Sequence, residues 1–235
     1  MMSPITATFG WLKLDEVGST QDVAAGILAD ESPYGIVLAR DQKIGRGRFA
    51  REWYSTPGDS LTMSLIFRGY PDHPMSYLVG MAVAIAAAGA IHSQLQWPND
   101  LTFRGKKVGG IITELKKGPD GHSIPIVGLG INLNQTSFPP EIEHRAISLL
   151  QAFGRSYDAK SVADTIVERL RSLPEPTAWK DLAPAWALFD ETRGKRYRLQ
   201  DGAEALAISV GTSGELLCTV DGEPHSVLAA DAVFG

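Results

Sequence analysis

The feature that most constrains this chain of 235 residues is the uncharged run YLVGMAVAIAAAGAI, from Tyr77 to Ile91. A helix that is apolar on every side is buried in a protein core or spans a membrane. This run is shorter than the roughly 20 residues that a bilayer requires, and it is rich in alanine rather than leucine. We therefore predict a helix buried in a globular core, and we expect no membrane association.

Strand-like runs lie on both sides of this segment. They are WLKLDEV, YGIVLAR, SLTMSLIFR, LQW ending at Pro98, LTFRGKKVGGIITELK, which we interpret as two strands joined at Arg104-Gly105, and IPIVGLGINLN. Helical patterns occupy QDVAAGILAD and residues 159–190, with a break near Pro174 and Pro176. Mixed strands and helices of this kind predict an α/β (α+β) fold.

The last part of the chain has a different pattern. Short alternating runs are separated by the turn sequences DG, TSG and DGEP, which is typical of a small all-β barrel. About 44 residues are marginal for independent folding. We therefore predict one domain over residues 1–190 and a small barrel over 191–235, which packs against it.

The overall composition limits the function. The chain is 44% hydrophobic with a net charge of −5, so non-specific binding to nucleic acid or anionic lipid is not expected to be its main activity. The lone Cys218 has no partner for an internal disulfide, and MMSPITATFGWLKLDE lacks the basic start and apolar run of a signal peptide. We expect a cytoplasmic protein.

Positive charge is nevertheless concentrated in GRGRFAREW, Gly45 to Trp53, which we call the basic loop. Arg46, Arg48 and Arg51 lie within six residues there. A solvated surface turn is one interpretation. The other is capture of an anion, because guanidinium groups bind carboxylates and phosphates in a fixed geometry.

Three more segments carry polar groups or unusual glycines: GSTQ at 18–21, WPND at 97–100, and KKVGG at 106–110 with GLGIN at 128–132. Taken alone, Ser19 or Thr20 is most simply a helix cap, and Asn-Asp is a common turn pair. Glycines inside strands often leave space for a ligand or another backbone. Together with the basic loop, the segments suit attack of a substrate carboxylate on a nucleotide phosphate, since the protein would supply position and charge.

In this order the motifs resemble those of the biotin protein ligases (biotin–[acetyl-CoA-carboxylase] ligases). GRGR…W followed about 40 residues later by WPND is a specific combination, and the similarity covers nearly the whole chain. The resemblance implies a mixed-sheet catalytic domain, shared with lipoate ligases, and an SH3-like barrel. It also implies that biotin and ATP with Mg²⁺ form biotinyl-5′-AMP and that biotin is then transferred to a lysine of a biotin carboxyl carrier domain.

The resemblance assigns roles residue by residue. Biotin is expected to contact Ser19, Thr20, Gln21, Gln42, Arg46, Gly47, Arg48, Lys107, Gly110, Gly128 and Gly130. The nucleotide is expected to contact Arg48, Arg51, Trp53, Asn99, Asp100, Lys107 and Asn132. Among these, Trp53 would line the adenine pocket and Asp100 would hold Mg²⁺. The catalytic residues would be Arg48, Asp100 and Lys107.

The chain departs from the family pattern at two positions. Gln96 precedes WPND where a lysine is usual, and Gln21 stands where asparagine is commoner. A lipoate-protein ligase and a relative that binds biotin without transferring it remain as alternatives. Since the catalytic motifs begin about 19 residues into the chain, no winged-helix domain is expected and we predict no DNA binding. A homodimer is compatible with the resemblance.

Overall fold

A computed structural model of the protein describes residues 10–30, 32–72 and 76–228, and the two-residue strand at 232–233. The first part of the N-terminal segment used above to predict localisation lies outside the described residues, as do parts of the last strand region of the expected barrel.

Seven strands form the first sheet. They are β1 (Gly10–Val17), β2 (Tyr34–Gln42), β3 (Ser60–Ile66), β4 (Gln94–Gln96), β5 (Asp100–Phe103), β6 (Lys106–Lys117) and β7 (Ser123–Asn132). The order in space is β1-β2-β3-β7-β6-β5-β4. β1 and β2 are parallel and every other neighbouring pair is antiparallel, so the predicted mixed α/β sheet is confirmed.

Helices cover both faces of this sheet. They are α1 (Thr20–Ala29), α2 (Tyr77–Ile91), α3 (Pro140–Glu143), α4 (Leu149–Phe153), α5 (Ala159–Ser172) and α6 (Trp179–Ala187). Because side chains alternate along a strand, β2 turns Val37 towards the small cluster beneath α1 and Ile36 and Leu38 towards the main core. The predicted helical break at the two prolines is confirmed between α5 and α6, whereas α3 and α4 have no counterpart in the sequence prediction.

The apolar run forms α2 over the predicted residues, and thirteen of its fifteen residues are buried. α2 packs against α5, α6 and the face of the first sheet, which explains why its apolar character continues all round the helix. No helix in the described residues is long and apolar enough to cross a membrane.

The predicted hairpin between β5 and β6 is also confirmed. Arg104 and Gly105 both have positive φ, 50° and 76°, as a tight two-residue hairpin turn requires. On the other side of β5, strand β4 ends at Gln96, which pairs with Asp100. The turn between these two residues contains Pro98, which lacks the N–H that a strand would need.

A second, antiparallel sheet follows α6. It contains β8 (Arg196–Leu199), β9 (Glu204–Val210), β10 (Leu216–Val220), β11 (Glu223–Val227) and β12 (Ala232–Val233), in the order β11-β10-β9-β8-β12. Tyr197, Ala205 and Leu216 of this sheet belong to the same hydrophobic core cluster as α2. The SH3-like classification and the domain boundary near Thr192 stay predictions.

Trp97, which follows β4 of the first sheet, contacts the region of the second sheet through two hydrogen bonds and a ring contact. Its indole Nε1 donates a hydrogen bond of 2.9 Å to the carbonyl of Gly214, and its backbone N–H donates one of 3.0 Å to the hydroxyl of Thr192. The ring packs edge-on against Tyr197 with 5.9 Å between centroids. The position of the second sheet is therefore fixed directly at the motif that carries Asn99 and Asp100.

We expect Trp97→Phe to lower the free energy of unfolding by about 1–3 kcal/mol beyond the loss of ring volume, because it leaves the buried Gly214 carbonyl without its donor. Trp186→Phe is the matched control. Trp186 is equally buried, but its Nε1 has no hydrogen-bond partner in the described part of the chain. Urea unfolding of both variants measures the difference, and equal losses would show that the Trp97 hydrogen bond contributes nothing.

Candidate active site

A cavity of about 920 Å³ lies beside the first sheet, lined by the basic loop, β5, β6 and β7, and the segment around α3. Every residue that the sequence singled out as a candidate ligand contact lines this one cavity: Ser19, Thr20, Gln21, Gln42, Arg46, Gly47, Arg48, Arg51, Trp53, Asn99, Asp100, Lys107, Gly110, Gly128, Gly130 and Asn132. Their individual roles stay predictions. The structure brings together five chain segments that are far apart in sequence.

The basic loop is itself folded. The Gly47 N–H donates to the carbonyl of Arg51 at 2.8 Å, and the Trp53 N–H donates to the carbonyl of Gly45 at 2.9 Å. A Cβ on Gly45 would lie 2.4 Å from the Trp53 carbonyl oxygen, so only glycine permits this pairing. The loop therefore forms a small hairpin whose tip is the 3-10 turn at Arg48–Ala50.

One end of the cavity is a buried polar cluster. The Gln42 side-chain oxygen accepts hydrogen bonds from the Thr20 N–H and hydroxyl at 2.9 and 3.0 Å, and the Thr20 hydroxyl accepts one from Ser64 at 2.8 Å. Ser19 occupies the N-cap position of α1, but its side chain makes no capping hydrogen bond. The predicted N-cap position at Ser19 is therefore confirmed, but capping does not account for these side chains, because Ser19 makes no capping hydrogen bond and both Thr20 donors go to Gln42.

Two polar atoms at this end lack a partner. The Ser19 hydroxyl and the side-chain amide oxygen of Gln21 are buried and make no hydrogen bond within the described residues. Leaving a buried polar group unpaired costs about 1–3 kcal/mol. A ligand that presents both a hydrogen-bond acceptor and an N–H donor would satisfy both atoms.

The strand glycines make room for protein side chains. A Cβ on Gly128 would lie 3.1 Å from Cδ of Gln21, and a Cβ on Gly130 would lie 2.4 Å from Cε2 of Trp53. Gly128 thus lets Gln21 lie against β7, and Gly130 lets the Trp53 indole contact the same strand. The prediction that these strand glycines leave space for another group is confirmed. The groups that fill this space are the side chains of Gln21 and Trp53.

We expect Gly130→Ala to displace Trp53 and to weaken ATP binding about tenfold, since overpacking of this kind costs about 1–3 kcal/mol and about 1.4 kcal/mol corresponds to a factor of ten. Titration calorimetry with ATP measures the change. Gly26→Ala on α1 is the control, because a Cβ there meets no atom within 4 Å. Unchanged ATP affinity in Gly130→Ala would contradict the placement of Trp53 at the nucleotide.

The WPND turn places two side chains at the other end of the cavity. The Asn99 amide donates to the Ile111 carbonyl, and its oxygen lies 3.4 Å from Nη1 of Arg48. The Asp100 carboxylate forms an ion pair of 2.6 Å with Nζ of Lys107. Asn132 is held at the edge by a hydrogen bond of 3.1 Å to the Ile147 carbonyl.

The charge balance inside the cavity is opposite to that of the whole chain. Five cationic side chains line it, against two carboxylates: Arg46, Arg48, Arg51, Lys107 and Arg145, against Glu52 and Asp100. Burial lowers the pKa of Arg48 to about 10, which still leaves the guanidinium charged at neutral pH. Arg46 is paired with Asp22, and the other four cationic side chains still outnumber the two carboxylates, so the cavity favours an anion.

Sequence reasoning missed the wall formed by residues 138–146. Phe138, Ile142 and Arg145 of this segment line the cavity, and the Arg145 carbonyl accepts the Lys107 N–H at 2.7 Å. No motif marks this wall. In the sequence, only the positive charge of Arg145 hints at this wall. The short helix α3 before Arg145 was not predicted, because its hydrophobic pattern is too short to indicate a helix. Gln96 also lines the cavity, where the usual lysine would have added a further charge.

The sequence model of the biotin/lipoate A/B protein ligase family matches residues 17–132. The chain belongs to this family. It is 34% identical over 238 residues to the bifunctional ligase/repressor BirA of Bacillus spizizenii, covering 94% of this chain and 73% of that protein. It is 31% identical over 251 residues to the biotin–[acetyl-CoA-carboxylase] ligase of Mycobacterium tuberculosis, covering 97% and 91%.

Solved structures agree with this assignment. The biotin protein ligase from Aquifex aeolicus in complex with biotin and ATP matches with a TM-score of 0.78 and 26% identity, covering 95% of this chain and 97% of that chain. The similarity in fold therefore extends over nearly the whole chain.

Proposed function

We propose that this protein is an ATP-dependent biotin protein ligase, which activates biotin to biotinyl-5′-AMP and transfers it to a lysine of a biotin carboxyl carrier domain. The observation that supports this function best is the division of one cavity into two ends. One end has unsatisfied buried polar atoms, and the other concentrates positive charge.

The polar end suits the ureido ring of biotin. A ureido group offers N–H donors and a carbonyl acceptor, which match the unpartnered Gln21 oxygen and Ser19 hydroxyl. The Thr20–Gln42 hydrogen bonds hold the surrounding backbone in place. The biotin carboxylate would then point along the cavity towards Lys107 and Arg48.

In the first step a carboxylate oxygen of biotin attacks the α-phosphorus of ATP. The bond from that phosphorus to the oxygen bridging the β-phosphorus breaks, and pyrophosphate leaves with the bonding electrons. Both reactants are anionic, so Lys107 and Arg48 lower the repulsion between them and stabilise the charge that develops. No side-chain nucleophile is needed, because the substrate itself supplies it.

A Mg²⁺ site in this cavity would depend on the single carboxylate of Asp100. Among the described residues, no group of three or more His, Cys, Asp or Glu side chains could hold a metal ion. Asp100 provides one carboxylate, and Mg²⁺ is commonly held by one or two carboxylates together with substrate phosphates and water. Bound there, Mg²⁺ would neutralise phosphate charge, while Asp100 would orient it.

In the second step the uncharged amine of the carrier lysine attacks the acyl carbon of biotinyl-AMP. The bond between that carbon and the phosphate oxygen breaks, AMP leaves, and one proton passes to solvent. The folded basic loop and Trp53 shield the mixed anhydride from water until the carrier arrives. We place this activity in the cytoplasm.

Incubation with ATP, Mg²⁺ and either biotin or lipoate, with and without an apo carrier domain, tests the function. We expect pyrophosphate release with biotin, and a mass increase of one biotinyl group on the carrier that vanishes when its target lysine is replaced by arginine. A mass increase of one lipoyl group with lipoate, and no increase with biotin, would identify a lipoate ligase. Pyrophosphate release without carrier modification would identify a relative that does not transfer biotin.

A further inference from the structure

The Arg46 side chain of the basic loop is paired with two carboxylates that do not line the cavity. Its Nη1 and Nη2 donate to the two carboxylate oxygens of Asp22 at 2.8 and 2.7 Å. Its Nε lies 3.6 Å from Oε1 of Glu114. The hydrogen bond to Arg46 lowers the pKa of Asp22 below its ordinary value. A two-pronged arginine–carboxylate contact is among the most geometrically specific ion pairs.

The partners of Arg46 belong to the rigid parts of the fold. Asp22 lies in the first turn of α1, next to Gln21, and Glu114 lies within β6, where it is paired with Ile126 of β7. Lys116 contacts Glu114 at 2.9 Å. The cluster therefore contains two cations and two carboxylates, and it has no net charge left with which to attract a substrate anion.

Arg46 is also hydrogen-bonded into the loop hairpin. Its backbone pairs with Glu52 across the hairpin, between the Gly47–Arg51 and Gly45–Trp53 hydrogen bonds. Fixing the Arg46 side chain thus fixes both sides of the hairpin. Arg48 lies at the tip of the same hairpin and reaches Asn99 instead.

We propose that Asp22 and Glu114 are positioning residues that hold the basic loop over the biotin end of the cavity through their ion pairs with Arg46. We call this Asp22–Arg46–Glu114 cluster the clasp. The Arg46 side chain serves this clasp rather than contacting biotin. Asp22 follows Gln21 directly, so the clasp couples the loop to the turn expected to bind the ureido ring. The coupling to biotin binding rests on the proposed function, whereas the ion pairs of the clasp do not.

Hydrogen exchange of the protein, measured with and without biotin, tests the clasp without requiring turnover. In Asp22→Asn, we expect the amides of Gly47 and Trp53 to exchange about three- to tenfold faster than in the parent, because a charged contact of a partly exposed pair is lost. Glu114→Gln should have a smaller effect in the same direction. Glu168→Gln on the exposed side of α5 makes the same charge change away from the loop and should leave exchange unchanged.

Steady-state kinetics and a charge swap test the positioning role. We expect Asp22→Asn to raise KM for biotin about fivefold, the change that loss of an ion pair of this kind allows, with kcat near the parental value. Asp22→Arg combined with Arg46→Asp should recover most of the loss, since the pair is restored in reverse.

Equal exchange in Asp22→Asn, Glu168→Gln and the parent overturns the clasp. Faster exchange with an unchanged KM for biotin, or a swap no better than either single variant, overturns the positioning role. If the parent shows no biotin-dependent activity, the proposed function fails, and the exchange data still decide whether the clasp exists.

Discussion

Replacing Lys107 with alanine is expected to slow biotin-dependent pyrophosphate release by about 10²–10³-fold, the usual effect of removing a contact that stabilises developing charge. Nζ of Lys107 lies at the cationic end of the cavity, 2.6 Å from Asp100 and about 6.0 Å from the centre of the Trp53 ring. The substitution removes a positive charge and the ion-pair partner of Asp100. Loss of the positive charge increases the repulsion that opposes attack by the biotin carboxylate.

Lys106→Ala is the control for this prediction. Lys106 precedes Lys107 on β6, is exposed, and contacts the Glu143 carbonyl at 3.3 Å, so its loss should leave pyrophosphate release near the parental rate. Lys107 is 39% exposed at its side chain, which predicts that Lys107→Ala still folds. Near-parental rates in Lys107→Ala, or an equal loss in Lys106→Ala, would remove Lys107 from the mechanism.

Arg48→Ala is expected to release biotinyl-AMP about 10- to 150-fold faster than the parent. The loss of a charge-assisted hydrogen bond costs about 1.5–3 kcal/mol, and each 1.4 kcal/mol is about tenfold in affinity. Arg48 lies at the tip of the loop hairpin beside Asn99, where it can hold the phosphate of the adenylate. The escaped mixed anhydride should label lysines of unrelated proteins in the same solution.

Mass spectrometry of a bystander protein measures this release. Arg40→Ala is the matched control, because it removes an exposed arginine just upstream of the loop that does not line the cavity. We expect bystander labelling to rise in Arg48→Ala alone. Labelling equal to the parent would show that Arg48 does not retain the adenylate.

Much of the architecture could be predicted because its causes are local. The apolar run of α2, the alternating strands and the turn at Arg104 and Gly105 each depend on neighbouring residues. The cavity residues could be located because their spacing resembles that of a known family, and the structure indeed places them together.

The features that escaped prediction depend on contacts between distant segments. Arg46 and Asp22 are 24 residues apart, and nothing in either local sequence indicates that they meet. The packing of Trp53 on Gly130 likewise follows from the arrangement of the sheet. So does the absence of a capping hydrogen bond from the Ser19 side chain. The wall that includes Arg145 belongs to a segment with weak periodicity, so hydrophobic patterning could not reveal it.

The most direct test of the central claim is a crystal structure of the protein with a non-hydrolysable analogue of biotinyl-AMP. We predict that the analogue lies in the 920 Å³ cavity, with its ureido ring at Ser19 and Gln21, its phosphate within hydrogen-bond distance of Lys107 or Arg48, and its adenine against Trp53. An analogue bound elsewhere, or one in the reverse orientation with the ureido ring at Lys107, would contradict the account.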